Sequence, residues 1–347
     1  MKVVAVTEEN RDACETYVRG RPDTTFVDGW PWRRVVERAY GIPQFWYVAV
    51  DGAEIRGFLS LALSTNPLFG KYLTTAPFAN QGGFYADGPE AADALLAQAI
   101  ELHAEVGAKY TLVRRLSENT AAPDGWLSDP SYATFYLPLN PDPERFYAEH
   151  LRSIVRNRIK KARKHRMTVR FGHTELVEDF WPVINRAVRD LGSPYHSRQY
   201  LDAVMAEHGT DAQLAVLYTE SGKPIGGSLL MHNPNAVAQL HVVCIKEYWS
   251  AYANDQLYWS VIEECCRRSL ATFDMGRSLI GTGNERFKMK WRPERRPIDN
   301  WYYLAAGQKL PSLNQNNPKY DYARTLWRLF PLPLAKLVGP RVMSGIL

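Results

Sequence analysis

The sequence predicts an α/β (α+β) protein of two tandem domains, each a mixed sheet flanked by helices. At 347 residues the chain exceeds a usual single domain. Its apolar fraction of 46% is ample for two packed cores. The order helix, hairpin, strand, helix, strand occurs twice, which reads as an internal duplication whose helices cross between neighbouring strands.

In the first copy, Pro31 to Tyr40 is a helix with Trp32, Val35, Val36 and Ala39 on one side, behind Asp28 as a cap. Gln44 to Asp51 and Ile55 to Ser64 form a hairpin around Asp51-Gly52. Gly70 to Phe84 is a strand and loop ending in Gly82-Gly83. Pro89 to Val106 is an Ala/Leu-rich helix, and Lys109 to Arg115 returns as a strand.

The second copy begins with a helix from Arg198 to Glu207 behind Ser197. Asp211 to Thr219 and Lys223 to His232 pair around Ser221-Gly222. A strand (Ala238 to Ile245), a helix (Asn254 to Leu270) and a closing strand (Thr272 to Met275) follow. Ile55-Arg56-Gly57-Phe58-Leu59 against Ile225-Gly226-Gly227-Ser228-Leu229 is the visible local match. The expected division is 1–145, 146–306 and a tail, 307–347.

A basic segment joins the copies. Residues 151–170 hold nine Lys/Arg and no acid, so the net charge of +5 is concentrated in one patch. Leu151, Val155, Ile159 and Ala162 form one apolar stripe on this cationic helix. Arg156, Lys160, Lys161, Arg163 and Lys164 are candidates for phosphate contact; a solvated helix face is the plainer alternative. No aromatic interleaving suggests sequence-specific reading of bases.

The tail changes character. Gln308 to Tyr320 is Asn/Pro-rich and loop-like. Beyond it Leu326, Trp327, Leu329, Phe330, Leu334 and Leu337 alternate with Arg324, Arg328, Lys336 and Arg341. This stretch either packs on the second domain or rests on an anionic membrane. Cys14, Cys244, Cys265 and Cys266 lack metal-site or redox spacing, a reduced, cytosolic pattern. Met1-Lys2-Val3-Val4 lacks the apolar core of a signal peptide, and no apolar run is long enough to span a bilayer. The expected location is therefore cytoplasmic, with peripheral contact at the inner membrane face as an extension through the tail.

The chemistry is expected at residues 272–291. An apolar strand end runs into a loop punctuated by Gly276, Gly281 and Gly283, and then Arg277, Arg286, Lys288 and Lys290 surround Phe287 and Trp291. Convergent cations at a strand end suit an anionic or carbonyl-bearing substrate. No zinc or di-carboxylate spacing, Walker-type loop or nucleophile elbow is present in the sequence, so no metal is expected.

Phe273-Asp274-Met275-Gly276-Arg277-Ser278, Gly281-Thr282-Gly283, Phe287-Lys288 and Trp291 resemble the C-terminal motif of the Fem-type aminoacyltransferases, on a pair of GNAT-like acyltransferase domains. Leu191-Gly192-Ser193-Pro194, Ala253-Asn254-Asp255 with Tyr258-Trp259, and Asn317-Pro318-Lys319-Tyr320 look like the branch associated with exosortase and exopolysaccharide gene clusters. The resemblance implies transfer of an amino acid from aminoacyl-tRNA to an amine of an envelope precursor or small peptide, with no tightly bound cofactor. It places the family's phenylalanine–lysine pair on Phe287 and Lys288. Where the family often has Trp-Gly, this chain has Trp291-Arg292, and the coiled-coil arm of some members has no counterpart.

Such transfer needs alignment of a neutral amine with an activated donor and stabilisation of an oxyanion. Lys288 suits the second task. Asp274 and Asp255 are candidate proton acceptors, although Asp255 also fits as a charge favouring a helix N-terminus, and Asp274 as a partner of Arg277. Phe287 offers a stacking platform and Arg277 a carboxylate or phosphate contact. Tyr195, His196, Tyr258 and Trp291 complete the substrate-binding candidates. The alternative donor is acyl-CoA, but neither 247–253 nor 78–83 makes a good pyrophosphate loop. A non-catalytic binding module at an envelope-assembly complex is the reading from outside enzymology.

Overall fold

The computed structural model describes residues 1–66, 70–118, 121–233, 236–311 and 318–346, with side chains at 318–321 left aside. In chain order the elements are β1 (Lys2–Ala5), α1 (Arg11–Arg19), α2 (Trp30–Tyr40), β2 (Gln44–Asp51), β3 (Glu54–Asn66), β4 (Gly70–Thr74), β5 (Phe84–Ala86), α3 (Pro89–Val106), β6 (Tyr110–Leu116) and β7 (Leu127–Pro138). Then come α4 (Pro143–Arg145), α5 (Ser153–Arg163), β8 (Thr168–Gly172), α6 (Val177–Asp190), α7 (Arg198–His208), β9 (Ala212–Tyr218), β10 (Pro224–Asn233) and β11 (Ala236–Cys244). The chain closes with α8 (Ala253–Arg267), β12 (Thr272–Asp274), β13 (Ser278–Leu279), α9 (Gly283–Met289), β14 (Glu294–Leu304), α10 (Pro318–Leu329) and α11 (Leu332–Met343).

Two compact units result: Met1–Tyr132 with Pro297–Ser312 and Val342–Leu347, and Ala133–Arg296 with Leu313–Arg341. The division falls inside β7 rather than at 145/146, and residues 297–306 return to the first unit. Strand pairing is the reason, because Ile298–Leu304 of β14 lies antiparallel to Leu116–Tyr110 of β6.

In the first unit β1, β2, β3 and β4 run antiparallel in turn. The helix α3 then crosses to β6, which pairs parallel with β4. Leu95, Leu96, Ala99 and Leu102 of α3 are buried against Leu59, Leu61 and Leu73. The second unit repeats the scheme. Here β8, β9, β10 and β11 are antiparallel, α8 crosses, and β12 pairs parallel with β11. The outer edge of β12 is covered by Tyr136–Pro138 of β7.

Most predicted elements stand within two or three residues of the expected limits. Strands β7 and β14 and helix α6 were not expected. Helix α6 has Pro182 inside it, which disguises the pattern. Asp28 is not the cap of α2, whose first turn follows Gly29 without a side-chain cap. It is buried instead, accepting from Thr25 N at 2.6 Å, Gly83 N at 2.6 Å and the Tyr85 hydroxyl at 2.8 Å.

The basic segment is only partly helical. Its stripe (Leu151, Val155, Ile159, Ala162) is buried in the second unit's core, as the periodicity predicts, but the chain re-enters the sheet at β8. In the tail, 312–317 lie outside the described residues, including Asn317 of the quoted motif; residues 318–320 open α10 rather than ending a loop. Helix α10 and most of α11 belong to the second unit.

Candidate functional site

Strand β12 is only three residues long. Its last register pair sets Asp274 opposite Ala238, and from there β11 continues to Cys244 beyond the end of β12, paired with β10 on its other side. Met275 N still reaches Phe135 O (2.9 Å), and then Gly276 turns the chain away at φ +76°, where a side chain would be strained. The departing chain leaves polar groups exposed to each other inside the core.

Asp274 is buried, and its Oδ1 accepts from Thr134 Oγ1 at 2.7 Å and from Gly276 N at 2.9 Å. Burial pushes its pKa above the usual carboxylate range, against the pull of these hydrogen bonds and of the Lys288 charge. Lys288 comes from α9, a short helix capped by Thr282, whose hydroxyl accepts from Glu285 N. Lys288 is helical and only 8% exposed. Its Nζ donates to Gly276 O at 2.7 Å and Arg277 O at 2.9 Å, and lies 5.4 Å from the Phe135 ring centroid. Burial lowers its pKa to about 8; Asp274 opposes the shift and Arg277 adds to it.

That geometry defines what Lys288 can do. Two of the three tetrahedral positions beyond the Cε bond are fixed on carbonyls. The remaining one is a lone pair when the amine is neutral and an N–H when it is charged. One atom can thus take a proton or support an oxyanion, and with a pKa near 8 both forms are accessible close to neutral pH.

A second charged pair lies on the same segment. Lys290 Nζ donates to Asp255 Oδ1 at 2.5 Å and sits 3.7 Å from the centroid of Phe287. Asp255 is in the first turn of α8 and buried. This engagement argues against Asp255 as a proton acceptor: its carboxylate neutralises a half-buried lysine. Tyr258 and Trp291 are core residues, with Tyr258 edge-on to Phe287 at 4.9 Å and stacked on Trp291 at 5.9 Å. Phe287 is half-buried, the most accessible of the three aromatics.

Arg277 is half-buried, gives its carbonyl to Lys288, and does not hold the Asp274 hydrogen bonds described above. Tyr195 and His196 join a different cluster. His196 stacks on Tyr200 at 3.9 Å, and the Tyr200 hydroxyl meets His241 Nε2 at 3.3 Å. Burial holds His196 far below its ordinary value and His241 down to about 4, so both rings are neutral at pH 7.

On α5 and at its C-cap, Lys160, Lys161, Arg163 and Lys164 are exposed. Arg156 is half-buried and its guanidinium donates to Ala148 O and Leu151 O, so it is committed to the local backbone and not presented to a polyanion.

Sequence reasoning missed Thr134 and Phe135, which wall the site from β7. Their signal is the alternation Ala133, Phe135, Leu137, all fully buried. It also missed Ser278, whose buried hydroxyl has no hydrogen-bond partner among the described residues, next in sequence to a carbonyl that holds Lys288.

Residues 149–289, through α5 to the end of α9, match the family model described as an acetyltransferase (GNAT) domain. Comparison with curated protein sequences gives no match. Among solved structures, FemX aligns with a TM-score of 0.63 at 13% identity over 93% of this chain and 100% of that one. The C-terminal domain of a protein named as a lysylphosphatidylglycerol synthetase, from Agrobacterium fabrum, gives 0.57 at 13% over 97% and 98%. A tandem GNAT protein from the clavulanic acid biosynthesis pathway gives 0.57 at 12% over 89% and 99%. The fold is therefore that of tandem GNAT proteins.

Proposed function

We propose that the chain transfers an aminoacyl or acyl group from an activated ester or thioester to an amine, at the end of β12 with Lys288 as the working group. The observation that carries this reading is a buried lysine with a pKa near 8, caged by two carbonyls within the acyltransferase-type domain. The amine nitrogen attacks the donor carbonyl, forming the C–N bond and a tetrahedral oxyanion. The amine proton passes to neutral Lys288, and the intermediate collapses with cleavage of the donor C–O or C–S bond. Lys288 then returns its proton to the departing oxygen or sulfur. Asp274 biases Lys288 toward the charged form and fixes the turn that supplies its carbonyl partners.

The donor favoured here is aminoacyl-tRNA. The Fem-type motif, the fold shared with FemX and with a protein named for making lysylphosphatidylglycerol, and the four exposed cations of α5 and its C-cap support it. The acceptor would be an amine of an envelope precursor or small peptide, as the Fem-type resemblance implies. Acyl-CoA is the second reading, favoured by the GNAT domain match and the tandem GNAT neighbour.

A donor panel decides between them: radiolabelled aminoacyl-tRNA beside acetyl- and long-chain acyl-CoA, with amine-rich envelope precursors as acceptors. Lys288-dependent loss of label from tRNA, faster than spontaneous hydrolysis, is expected. Consumption of CoA esters alone would reassign the donor. Transfer that survives Lys288→Ala would remove the mechanism.

A further inference from the structure

The tail helices carry a surface that acyl transfer does not use. Helix α10 keeps Arg324 and Trp327 half-buried against the second unit, with the Arg324 carbonyl 2.7 Å from where a Cβ on Gly192 would lie. Helix α11 packs through Ala335 and Gly339, where a Cβ on Gly339 would come within 2.9 Å of Tyr195 O and 3.7 Å of the Trp327 ring. The opposite faces are apolar and open: Tyr322, Leu326 and Leu329 at i, i+4 and i+7 on α10, and Leu334 and Leu337 on α11. Leu329 is 75% exposed and Leu337 60%. Five of the twelve exposed large apolar side chains among the described residues fall in this short stretch, which marks a contact surface rather than ordinary scatter.

Charge selects the partner. From Tyr322 to Leu347 the sequence contains Arg324, Arg328, Lys336 and Arg341 and no Asp or Glu. The acids beside Arg328 are Asp190 and Glu247, and both are engaged elsewhere, Asp190 with Arg189 at 2.7 Å and Glu247 with Arg186. A second copy meeting this face through a two-fold axis would set cations against the same cations. An anionic lipid surface answers both features, accepting the leucines between its headgroups and the exposed Arg328 on its phosphates.

We propose that the outer face of α10 and α11 docks on an anionic bilayer surface. This does not depend on the acyl-transfer reading, and its test measures no catalysis. The full-length chain is sedimented with phosphatidylcholine vesicles and with vesicles half phosphatidylglycerol, at low and physiological salt. Wild type is expected to bind the anionic vesicles at least about tenfold more tightly, less so as salt rises. Leu329→Asp with Leu337→Asp, at two open positions, should abolish binding while thermal melting stays unchanged. Arg328→Gln should weaken it roughly fivefold. A Leu329→Trp variant should shift its emission to the blue on anionic vesicles only. Equal binding to both vesicle types, or unaltered binding by the double aspartate variant, would overturn the proposal. So would self-association in sedimentation velocity that the aspartates abolish, since it would give the face to a second copy.

Discussion

The two units meet the same structural moment differently. In each, a crossing helix delivers a strand parallel to its predecessor, with three register pairs: Tyr72–Tyr110, Leu73–Thr111 and Thr74–Leu112 in the first, Ala236–Thr272, Val237–Phe273 and Ala238–Asp274 in the second. The third pair ends on Leu112 in one and Asp274 in the other. Strand β6 then runs on to Leu116 under β14, whereas β12 stops. Two residues beyond the third pair, the first unit has Arg114, buried, with its guanidinium on Ala76 O (3.2 Å) and Ala79 O (3.5 Å). The second unit has Gly276 there and a lysine caged by carbonyls. Both units bury a cation among backbone carbonyls, but only a lysine can release its proton near neutral pH. Under the proposed function, ending one strand early and placing a titratable cation in the gap gives the duplicated fold one site rather than two.

The sharpest attempt to break this contrast is Lys288→Arg, which keeps charge and donors but removes titration. It should lower transfer about 10²- to 10⁴-fold, as Lys288→Met does, measured as kcat/KM on whichever donor is active. Retained activity would mean that fixed charge alone suffices. The reciprocal change, Arg114→Met, should leave transfer per folded molecule unaltered and lower unfolding free energy by about 1–3 kcal/mol in urea titrations, because two buried carbonyls lose their donor.

Asp274→Asn sharpens the comparison further. The carboxylate raises the Lys288 pKa, so its loss should move the rising limb of the pH–rate profile from about 8 to lower pH. Stability should respond to pH with opposite signs at the two residues. Lys288 has a folded pKa near 8 against an unfolded value of about 10.4, so the unfolded chain holds more protons between them. Its contribution is present above the unfolded value and lost as pH falls through about 8. Wild type should therefore gain on Lys288→Met as pH rises from about 8 toward 10. Asp274 is shifted upward, so its contribution is complete below the unfolded value of about 3.9 and fades as pH climbs through the folded one. The smallest effect expected is Gly276→Ala, about 1 kcal/mol from positive φ, read in the same titrations.

Much of the fold was legible because it is written in local periodicity. The hairpins around Asp51-Gly52 and Ser221-Gly222 and the helices α3 and α8 declare themselves by turn residues and apolar spacing. What escaped was non-local. Nothing near Ala133 to Leu137 says that this stretch will lie against β12, so the Thr134 hydroxyl on Asp274 was invisible. The site segment was found by its cations and glycines, but its geometry was not. Residue type and spacing did not separate Lys288, caged on carbonyls, from Lys290, neutralised by Asp255. Asp28 escaped for a related reason, since the donors that claim it, Gly83 and Tyr85, lie far along the chain.

The strand that covers β6 has a consequence for how this molecule comes off the ribosome. Ile298–Leu304 follows the second unit's long segment, Ala133–Arg296, in sequence, yet β6 waits for it. Synthesis proceeds from the N-terminus, so the first unit's sheet is built early and keeps an open edge until residue 304 emerges. The later-made unit is continuous from Ala133 to Arg296 and completes its sheet sooner. Fragments cut after Tyr132 should accordingly aggregate through β6, and addition of a peptide spanning 294–304 should rescue them.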